Sequence, residues 1–286
     1  MNGLGRLLAA AAGAATARYA LREIRTAPPA PALERTNFRG RTVTLAAGPA
    51  LAVGAAGAGA FGATSVPAGA AALVAGLGAG AVGLYDDVVG GRPEQKTAKG
   101  FAGHLAALRE GRVTAGTVKV LGVGAAGLGA AVLLSADPRV AARRAGQRPV
   151  ARVVDVLLGA GVVAGTANLL NLLDLRPGRA LKSGLLLGAP LTRGPHGGIA
   201  AGAVGAAGGL LGEDLDEQVM VGDSGANALG AVLGVALAAR TGPVGRAAIL
   251  AVLAGLTAAS EKVSFTAVIQ RTPGLRELDA LGRRSG

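Results

Sequence analysis

The chain has 286 residues, of which 51% are hydrophobic and only 16% are charged, and it contains neither cysteine nor tryptophan. A soluble domain carries about 25% charged residues, so this composition argues against an ordinary cytosolic globule. The missing cysteines exclude a disulfide framework and any thiolate metal site. The 65 alanines and 49 glycines are typical of a polytopic helical membrane protein, in which small residues let helices approach closely. The net charge of +12 then indicates basic cytoplasmic loops and no nucleic-acid partner.

Eight stretches are predominantly apolar, and a helix that crosses a bilayer needs about 20 such residues. They cover residues 3–19, 42–63, 66–85, 117–136, 150–170, 197–211, 226–239 and 244–269. A ninth stretch, 181–191, is short and is either a span or a re-entrant segment. We therefore predict an all-α fold, a single transmembrane helix bundle over residues 1–286 with about nine spans. The first stretch is alternatively a cleaved signal peptide, which the many later spans disfavour.

Basic residues predict the orientation, because Lys and Arg concentrate in cytoplasmic loops. Only Arg6 precedes the first span, whereas six arginines follow it between Arg18 and Arg41. The amino terminus is therefore expected outside and the carboxyl terminus in the cytoplasm of a multi-pass plasma-membrane protein. The inner segments are then 18–41, the loops 86–116, 171–182 and 212–225, and the tail after Lys262, including its basic end 270–286. Together with Lys119 and Lys262 at their borders, they hold 20 of the 29 basic residues. The exception is 139–152, with five arginines outside.

Acidic and amide side chains lie at the inner ends of these spans. Asp86 and Asp87 close one apolar helix, and two adjacent carboxylates near hydrocarbon are costly unless cations compensate them. Asn168, Asn171 and Asp174 recur every third residue, near one helical face. That face suits a nucleobase, a ribose or a hydrated ion. Solvated helix-end aspartates and interhelical asparagine bonds remain the simpler alternatives.

Asp223 stands between two glycines at the opening of another helix. Gly222 permits close backbone approach to a ligand, and a helix start offers free N–H groups to phosphate. A plain N-cap is the alternative. The turn after Asp174 carries Arg176, Arg179 and Lys182, which can bind phosphates or simply form a positive-inside loop.

The topology places Asp86, Asp87, Asp174 and Asp223 on one membrane face, beside basic loops. Mg²⁺-dependent phosphoryl transfer requires this combination, because the metal takes oxygen ligands and cationic side chains neutralise the developing charge.

The order of these motifs resembles the polyprenyl-phosphate N-acetylhexosamine-1-phosphate transferase superfamily, from about residue 35 to 268. This family includes phospho-N-acetylmuramoyl-pentapeptide transferase and UDP-GlcNAc:undecaprenyl-phosphate GlcNAc-1-phosphate transferase. The resemblance implies transfer of a phospho-sugar from a UDP-sugar to polyprenyl phosphate, with release of UMP, at the cytoplasmic face during cell-envelope polysaccharide or peptidoglycan biosynthesis.

The resemblance also implies residue roles. Asp223 matches the principal Mg²⁺ ligand, with Asp87 as the second candidate ligand and Mn²⁺ as the alternative ion. Asp86 and Asp87 match an acidic pair that acts as base toward the lipid phosphate or supports the metal. Asn171 and Asp174 match residues near the nucleoside and diphosphate.

The chain departs from the family pattern at several basic and acidic positions. A lysine often follows the acidic pair by three residues, but Gly90 stands there, and Lys96 and Lys99 are the candidate substitutes. In the family, the acid that Asp174 matches usually starts an Asp-Gly-x-Asp-Gly motif, and Pro177 stands where its second acid would be. Met220 occupies a position where an aromatic residue can stack on uracil.

The family's late His-rich loop has no counterpart in this sequence. His104 is a candidate phosphate contact, although a lone helical histidine is more often structural. In the tail, which replaces that loop, Arg276 is a secondary candidate for sugar or phosphate contact.

Two further hypotheses stay open at this point. A catalytically degenerate relative would bind lipid phosphate or scaffold envelope enzymes, and the missing acid and His loop favour it. A cation-coupled transporter would use midplane carboxylates, whereas these carboxylates fall at span ends. The donor sugar and the oligomeric state, including a homodimer, are not determined by the sequence.

Overall fold

The computed structural model describes residues 1–28, 30–37, 39–90 and 100–284. Within these residues the chain forms thirteen α-helices and one two-stranded antiparallel hairpin. The helices are α1 (Gly3–Thr26), α2 (Ala47–Phe61), α3 (Val66–Tyr85), α4 (Gly100–Arg109), α5 (Ala115–Ser135), α6 (Pro138–Arg143), α7 (Pro149–Leu173), α8 (Arg179–Leu191), α9 (Gly197–Leu215), α10 (Gly222–Arg240), α11 (Pro243–Ser260), α12 (Phe265–Arg271) and α13 (Leu275–Ala280). The strands are β1 (Glu34–Thr36) and β2 (Thr42–Thr44), and a π-helical turn, Asp86–Gly90, extends α3.

Four helical stretches are long and apolar enough to cross a membrane, judged by length and composition. They are Val66–Gly90, Ala115–Ser135, Pro149–Leu173 and Pro243–Ser260. The predicted helical fold is thus confirmed, and it is compatible with a membrane protein. The count of about nine spans and the orientation of the termini stay predictions.

Nine of the described helices, namely α1, α2, α3, α5, α7, α8, α9, α10 and α11, run alternately between two ends of the bundle. Helices α1 and α9, the first and the seventh of these nine, accordingly run in the same direction. Near the start of α1, Arg6 donates to the carbonyl of Gly194, just before α9, and near its end Arg25 pairs with Glu213 in the last turn of α9. We call one end the aspartate end, since it carries Asp86, Asp87, Asp174 and Asp223. The other is the arginine end, where α5 and α10 finish and α7 and α11 begin.

Helix α10 is the centre of the bundle, with nearly every side chain from Ser224 to Ala239 buried. It packs against α2, α3 and α7, among others. Glycine makes one of these approaches possible, because a Cβ on Gly83 of α3 would overlap the backbone carbonyl of Asp223. The richness in small residues therefore serves close packing around a buried helix, as helix pairing without large side chains requires.

Two predicted span boundaries were wrong. The stretch 42–63 does not begin as a helix, because residues 42–44 form strand β2 and α2 starts only at Ala47. The stretch 244–269 is not continuous, since α11 ends at Ser260 and the charged pair Glu261–Lys262 follows. A new helix then starts where the Ser264 hydroxyl accepts the backbone N–H of Ala267, as an N-cap does.

The hairpin is an element that the hydrophobic pattern did not reveal, because its strands are only three residues long. Strand β2 also contacts the segment before α10, where the N–H of Met220 donates to the carbonyl of Thr44 over 2.8 Å. On β1, Arg35 donates to the backbone carbonyl of Asp87 over 2.8 Å. The hairpin thereby holds the start of α10 and the end of α3 at the aspartate end.

Candidate functional site

The carboxylate of Asp87 caps the amino terminus of α10. Its two oxygens accept the backbone N–H groups of Asp223 and Ser224, each over 2.9 Å. Gly222 starts this turn with φ +61°, and a Cβ there would press on Leu45 and on the Asp87 carboxylate. The helix start thus holds a negative charge, as free N–H groups and the helix dipole favour. The two carboxylates predicted as metal ligands, Asp87 and Asp223, are brought together here.

A lysine joins the acidic pair to α10. The ammonium nitrogen of Lys119 lies 2.6 Å from Asp86 Oδ2 and 2.5 Å from Asp223 Oδ2, and all three side chains are mostly shielded from solvent. Such a half-buried triad is stable only with close pairing, because an isolated charge at this depth is costly.

Sequence reasoning missed Lys119 as a site residue. The available signal was its position near the start of an apolar helix, α5, where a lysine is expensive unless it has a carboxylate partner. It supplies the cation that the acidic pair needed. The proposed substitutes Lys96 and Lys99 lie outside the described residues, as does the side chain of His104.

The two asparagines of α7 contact different helices, α10 and α11. Asn171 donates its amide to Asp223 Oδ1 over 2.5 Å, as expected for a site residue. Asn168 donates instead to Thr257 of α11 over 2.9 Å and serves helix packing. Asn168 and Asn171 are three residues apart, which is about 60° short of a full helical turn, so their side chains point in directions that differ by about 60°.

Asp174 ends α7 at the edge of a cavity of about 240 Å³. The cavity is also lined by Arg176, Asp214, Glu217 and Met220, among others. Burial, reinforced by the neighbouring carboxylate of Asp214, raises the pKa of Asp174 well above its usual value. Asp174 and Arg176 are thus at this cavity, whereas Asn171 is in the Lys119 cluster beside it.

Burial also raises the pKa of Asp214 to about 7 from its usual 3.8, although it accepts the N–H of Gly178 over 2.7 Å. Asp214 lies in the last turn of α9, beyond the predicted span 197–211. A carboxyl group with a raised pKa in the folded state stabilises the fold fully below about pH 4, and this contribution is lost as the pH rises through about 7.

We expect Asp214→Asn to flatten the pH dependence of the melting temperature between pH 4 and 8, because it removes this titration. In the original protein, the melting temperature should fall by several degrees over that interval. Thermal unfolding of the detergent-solubilised protein measures both curves. Asp216→Asn is the control, since the side chain of this neighbour is about half exposed and pairs with Arg284 at the surface. Parallel curves for Asp214→Asn and the original protein would contradict the assignment.

Two of the predicted phosphate-gripping residues hold the carboxyl-terminal tail instead. Arg179 is buried and donates to both carboxylate oxygens of Asp279, over 2.7 and 3.0 Å. Lys182 donates to three tail carbonyls, including that of Asp279 over 2.7 Å. The sequence predicted phosphate binding at these residues because a carboxylate of the tail and a phosphate accept hydrogen bonds from the same side-chain donors.

The predicted tail contact Arg276 is also placed away from the acidic cluster. Its guanidinium is about half exposed and lies 2.7 Å from the carboxylate of the adjacent Glu277. The tail is therefore attached through Asp279, which Arg283 also contacts at 2.6 Å, and not through Arg276.

We expect Asp279→Asn to detach the tail, because it leaves the buried Arg179 guanidinium without a counter-charge. Trypsin should then cleave within residues 271–284 at least about tenfold faster, while the bundle stays folded. Glu277→Gln is the matched control, since its exposed ion pair contributes little. Equal cleavage rates for the two variants would show that the Arg179 pair does not anchor the tail.

The donor set suits Mg²⁺, which takes hard oxygen ligands and is usually bound through one or two carboxylates plus substrate phosphates. Each oxygen of Asp87 accepts one backbone N–H group and keeps a second lone pair. The two oxygens of Asp223 accept from Asn171 and Lys119, and its carboxylate also contacts that of Asp86. Among the described residues, no three carboxylates or histidines are grouped as a ready metal cage. Asp87 and Asp223 therefore fit a site that phosphate oxygens would complete.

No protein-family model matches the chain, and no curated protein sequence is significantly similar to it.

Proposed function

We propose that this protein is an integral membrane transferase that moves a phospho-sugar from a UDP-sugar to polyprenyl phosphate, with release of UMP. The single observation that carries the proposal is the cluster at the start of the buried helix α10, where Lys119 pairs with Asp86 and Asp223 and Asp87 caps the helix. Three carboxylates, which suit a divalent cation, and one ammonium group, which suits phosphate, meet there at one end of the bundle. Their chemistry is that of phosphoryl transfer.

The helix directions support a cytoplasmic site in the plasma membrane. If all nine alternating helices cross the bilayer, the amino terminus lies outside and the tail inside, by the distribution of basic residues. The aspartate end then faces the cytoplasm, where nucleotide sugars are available. A cation-coupled transporter is less favoured, because the carboxylates lie at helix ends and not at the bundle midplane.

The reaction places few covalent demands on the protein and depends on positioning and charge neutralisation. Asp87 and Asp223 would hold Mg²⁺, which neutralises the donor diphosphate when bound. Lys119 donates from its ammonium group to phosphate oxygens, and Asn171 keeps the Asp223 carboxylate in place. The cavity beside Asp174, with Arg176 and Met220, suits the nucleoside part of the donor.

Asp86 is the candidate base toward the lipid phosphate. The second pKa of a phosphate monoester is about 6, so the acceptor is already largely dianionic near neutral pH. A base is then needed mainly at lower pH. Asp86 therefore contributes chiefly by holding Lys119 in position, and by taking a proton on its carboxylate when the acceptor arrives protonated.

A UMP-release assay tests the proposal. Membranes that contain the protein are supplied with polyprenyl phosphate and a panel of UDP-HexNAc donors, with Mg²⁺, Mn²⁺ or EDTA. Metal-dependent UMP release that requires both substrates is expected from at least one donor. Absence of release with every donor, together with retained Mg²⁺-dependent binding of polyprenyl phosphate, would favour the catalytically degenerate alternative. A reporter-fusion map that places Asp87 and Asp223 on opposite faces would remove the enzyme model.

A further inference from the structure

The arginine end carries far more positive charge than its carboxylates balance. Two aspartates are found there, Asp137 and Asp155, against nine arginines in the described residues. The arginines are Arg6, Arg139, Arg143, Arg144, Arg148, Arg152, Arg193, Arg240 and Arg246. This excess includes the five-arginine segment that breaks the positive-inside pattern, and the acidic cluster of the proposed transferase does not account for it.

Part of this excess is buried. Arg144 and Arg246 are 7% and 2% exposed, and both pair with the single carboxylate of Asp155, Arg246 over 2.7 Å. Asp137 is already engaged with Ser65 and His196 and does not share this charge. One buried carboxylate therefore faces two guanidinium groups. A net positive charge at such a site is costly unless an anion compensates it.

A groove of about 500 Å³ lies beside this charged pair, between α5 and α7. This volume is within the range of small-molecule sites. Its walls are apolar and include Leu128 and Val132 of α5 and Val153 and Leu157 of α7, all exposed on the bundle surface. At the arginine end of the bundle, Arg144 and Arg152 also line it. The groove thus has apolar walls and, at the arginine end, cationic side chains.

The arginines in and beside the groove have N–H donors that make no contact within the described residues. Arg144 uses its Nε for Asp155, and the contacts within the described residues leave its two terminal nitrogens unused. Arg152 and Arg148 pair with no carboxylate in the described part of the chain. Guanidinium groups bind phosphate through paired N–H donors, so these side chains match a phosphate group.

We propose that this groove binds one anionic phospholipid, with its phosphate at Arg144 and Arg152 and an acyl chain between α5 and α7. The apolar walls favour a lipid over a soluble anionic polymer, which would leave them uncovered. Basic side chains near a bilayer surface attract anionic lipid headgroups in this way. The lipid phosphate also supplies the negative charge that the Arg144–Asp155–Arg246 cluster lacks. The proposal requires the bundle to lie in a bilayer, as the proposed function does, but not transferase activity.

A tryptophan reporter tests this proposal, because the natural chain contains no tryptophan. Leu128→Trp places the reporter in the groove wall, and Leu73→Trp places it on α3, seven residues from the same end and about equally exposed. Each variant is reconstituted in phosphatidylcholine bilayers that contain a minor fraction of acyl-brominated phosphatidylglycerol. We expect about fivefold local enrichment of the anionic lipid at Leu128→Trp, seen as excess quenching over Leu73→Trp.

Charge variants then locate the headgroup. Arg152→Gln should remove the excess quenching at Leu128→Trp, whereas Arg193→Gln, which removes an equal charge at the same end outside the groove, should leave it. Brominated phosphatidylcholine should quench both reporters equally. Equal quenching by brominated phosphatidylglycerol at both reporters would overturn the proposal, as would soluble polyphosphate binding that depends on Arg152 without any lipid excess. If neither brominated lipid quenched Leu73→Trp, the membrane placement itself would be rejected, independently of UMP release.

Discussion

Replacement of Asp223 by Asn is expected to reduce UMP release by at least about 10³-fold, with expression and folding retained. The amide keeps the shape of the side chain but removes the negative charge that would hold Mg²⁺. It also presents an NH₂ group toward either Asn171 or Lys119, both of which donate to this carboxylate over 2.5 Å. The variant thus loses a ligand charge and gains a donor–donor clash at the same atom positions. The UMP-release assay with saturating Mg²⁺ measures the effect.

Asp216→Asn is the matched control for this prediction. It also removes one carboxylate at the aspartate end, but Asp216 is about half exposed, and its ion pair within the described residues is a surface contact with Arg284. Its activity should stay within about twofold of the original, because exposed ion pairs contribute little. Full activity of Asp223→Asn would reject the assignment of this residue as the principal metal ligand.

Replacement of Lys119 by Met is expected to lower UMP release by about 10²-fold and to tighten Mg²⁺ binding at the same time. Lys119 places a positive charge between Asp86 and Asp223, at 2.6 and 2.5 Å from their carboxylate oxygens. Without it, the two carboxylates repel each other and recruit a free cation more strongly. Activity nevertheless falls, because the ammonium group no longer reaches the phosphate oxygens of the substrate.

The combination of effects separates a catalytic lysine from a structural one. Activity is measured by UMP release, and Mg²⁺ affinity by the rise in melting temperature with ion concentration. Lys262→Met is the control, since this exposed lysine lies beyond α11 at the same end of the bundle. If Lys119→Met weakened both activity and the Mg²⁺-dependent rise in melting temperature, Lys119 would be a structural support and not a group that competes with the metal.

The lipid groove and the tail anchor extend the functional argument beyond the aspartate end. Arg144 and Arg246 share the carboxylate of Asp155, and Arg179 and Arg283 share that of Asp279. Asp279 belongs to the carboxyl-terminal tail, so the second cluster attaches the tail to the bundle. The cluster at Asp155 lies beside the groove, where its excess positive charge can bind an anion from outside the chain.

The sequence by itself determined the helical class and many of the element positions. Helix α3 spans the predicted residues 66–85, because Ser65 caps it and the apolar run is uninterrupted. The sequence also placed Asp86, Asp87, Asp174 and Asp223 at one end, and the structure brings Asp87 and Asp223 into direct contact. These signals are local, since apolar length, caps and charge at a span boundary each act within one helix.

Only the tertiary structure decided which polar side chains meet. Lys119 contacts a carboxylate 104 residues away, and Asn171 reaches the same group while Asn168 turns to α11. Whether Arg179 faces a substrate or the tail depended equally on which helix packs beside it. The physical reason is that pairing between distant charges follows the rotation and contact of whole helices, which small residues permit in many arrangements and which packing fixes in one.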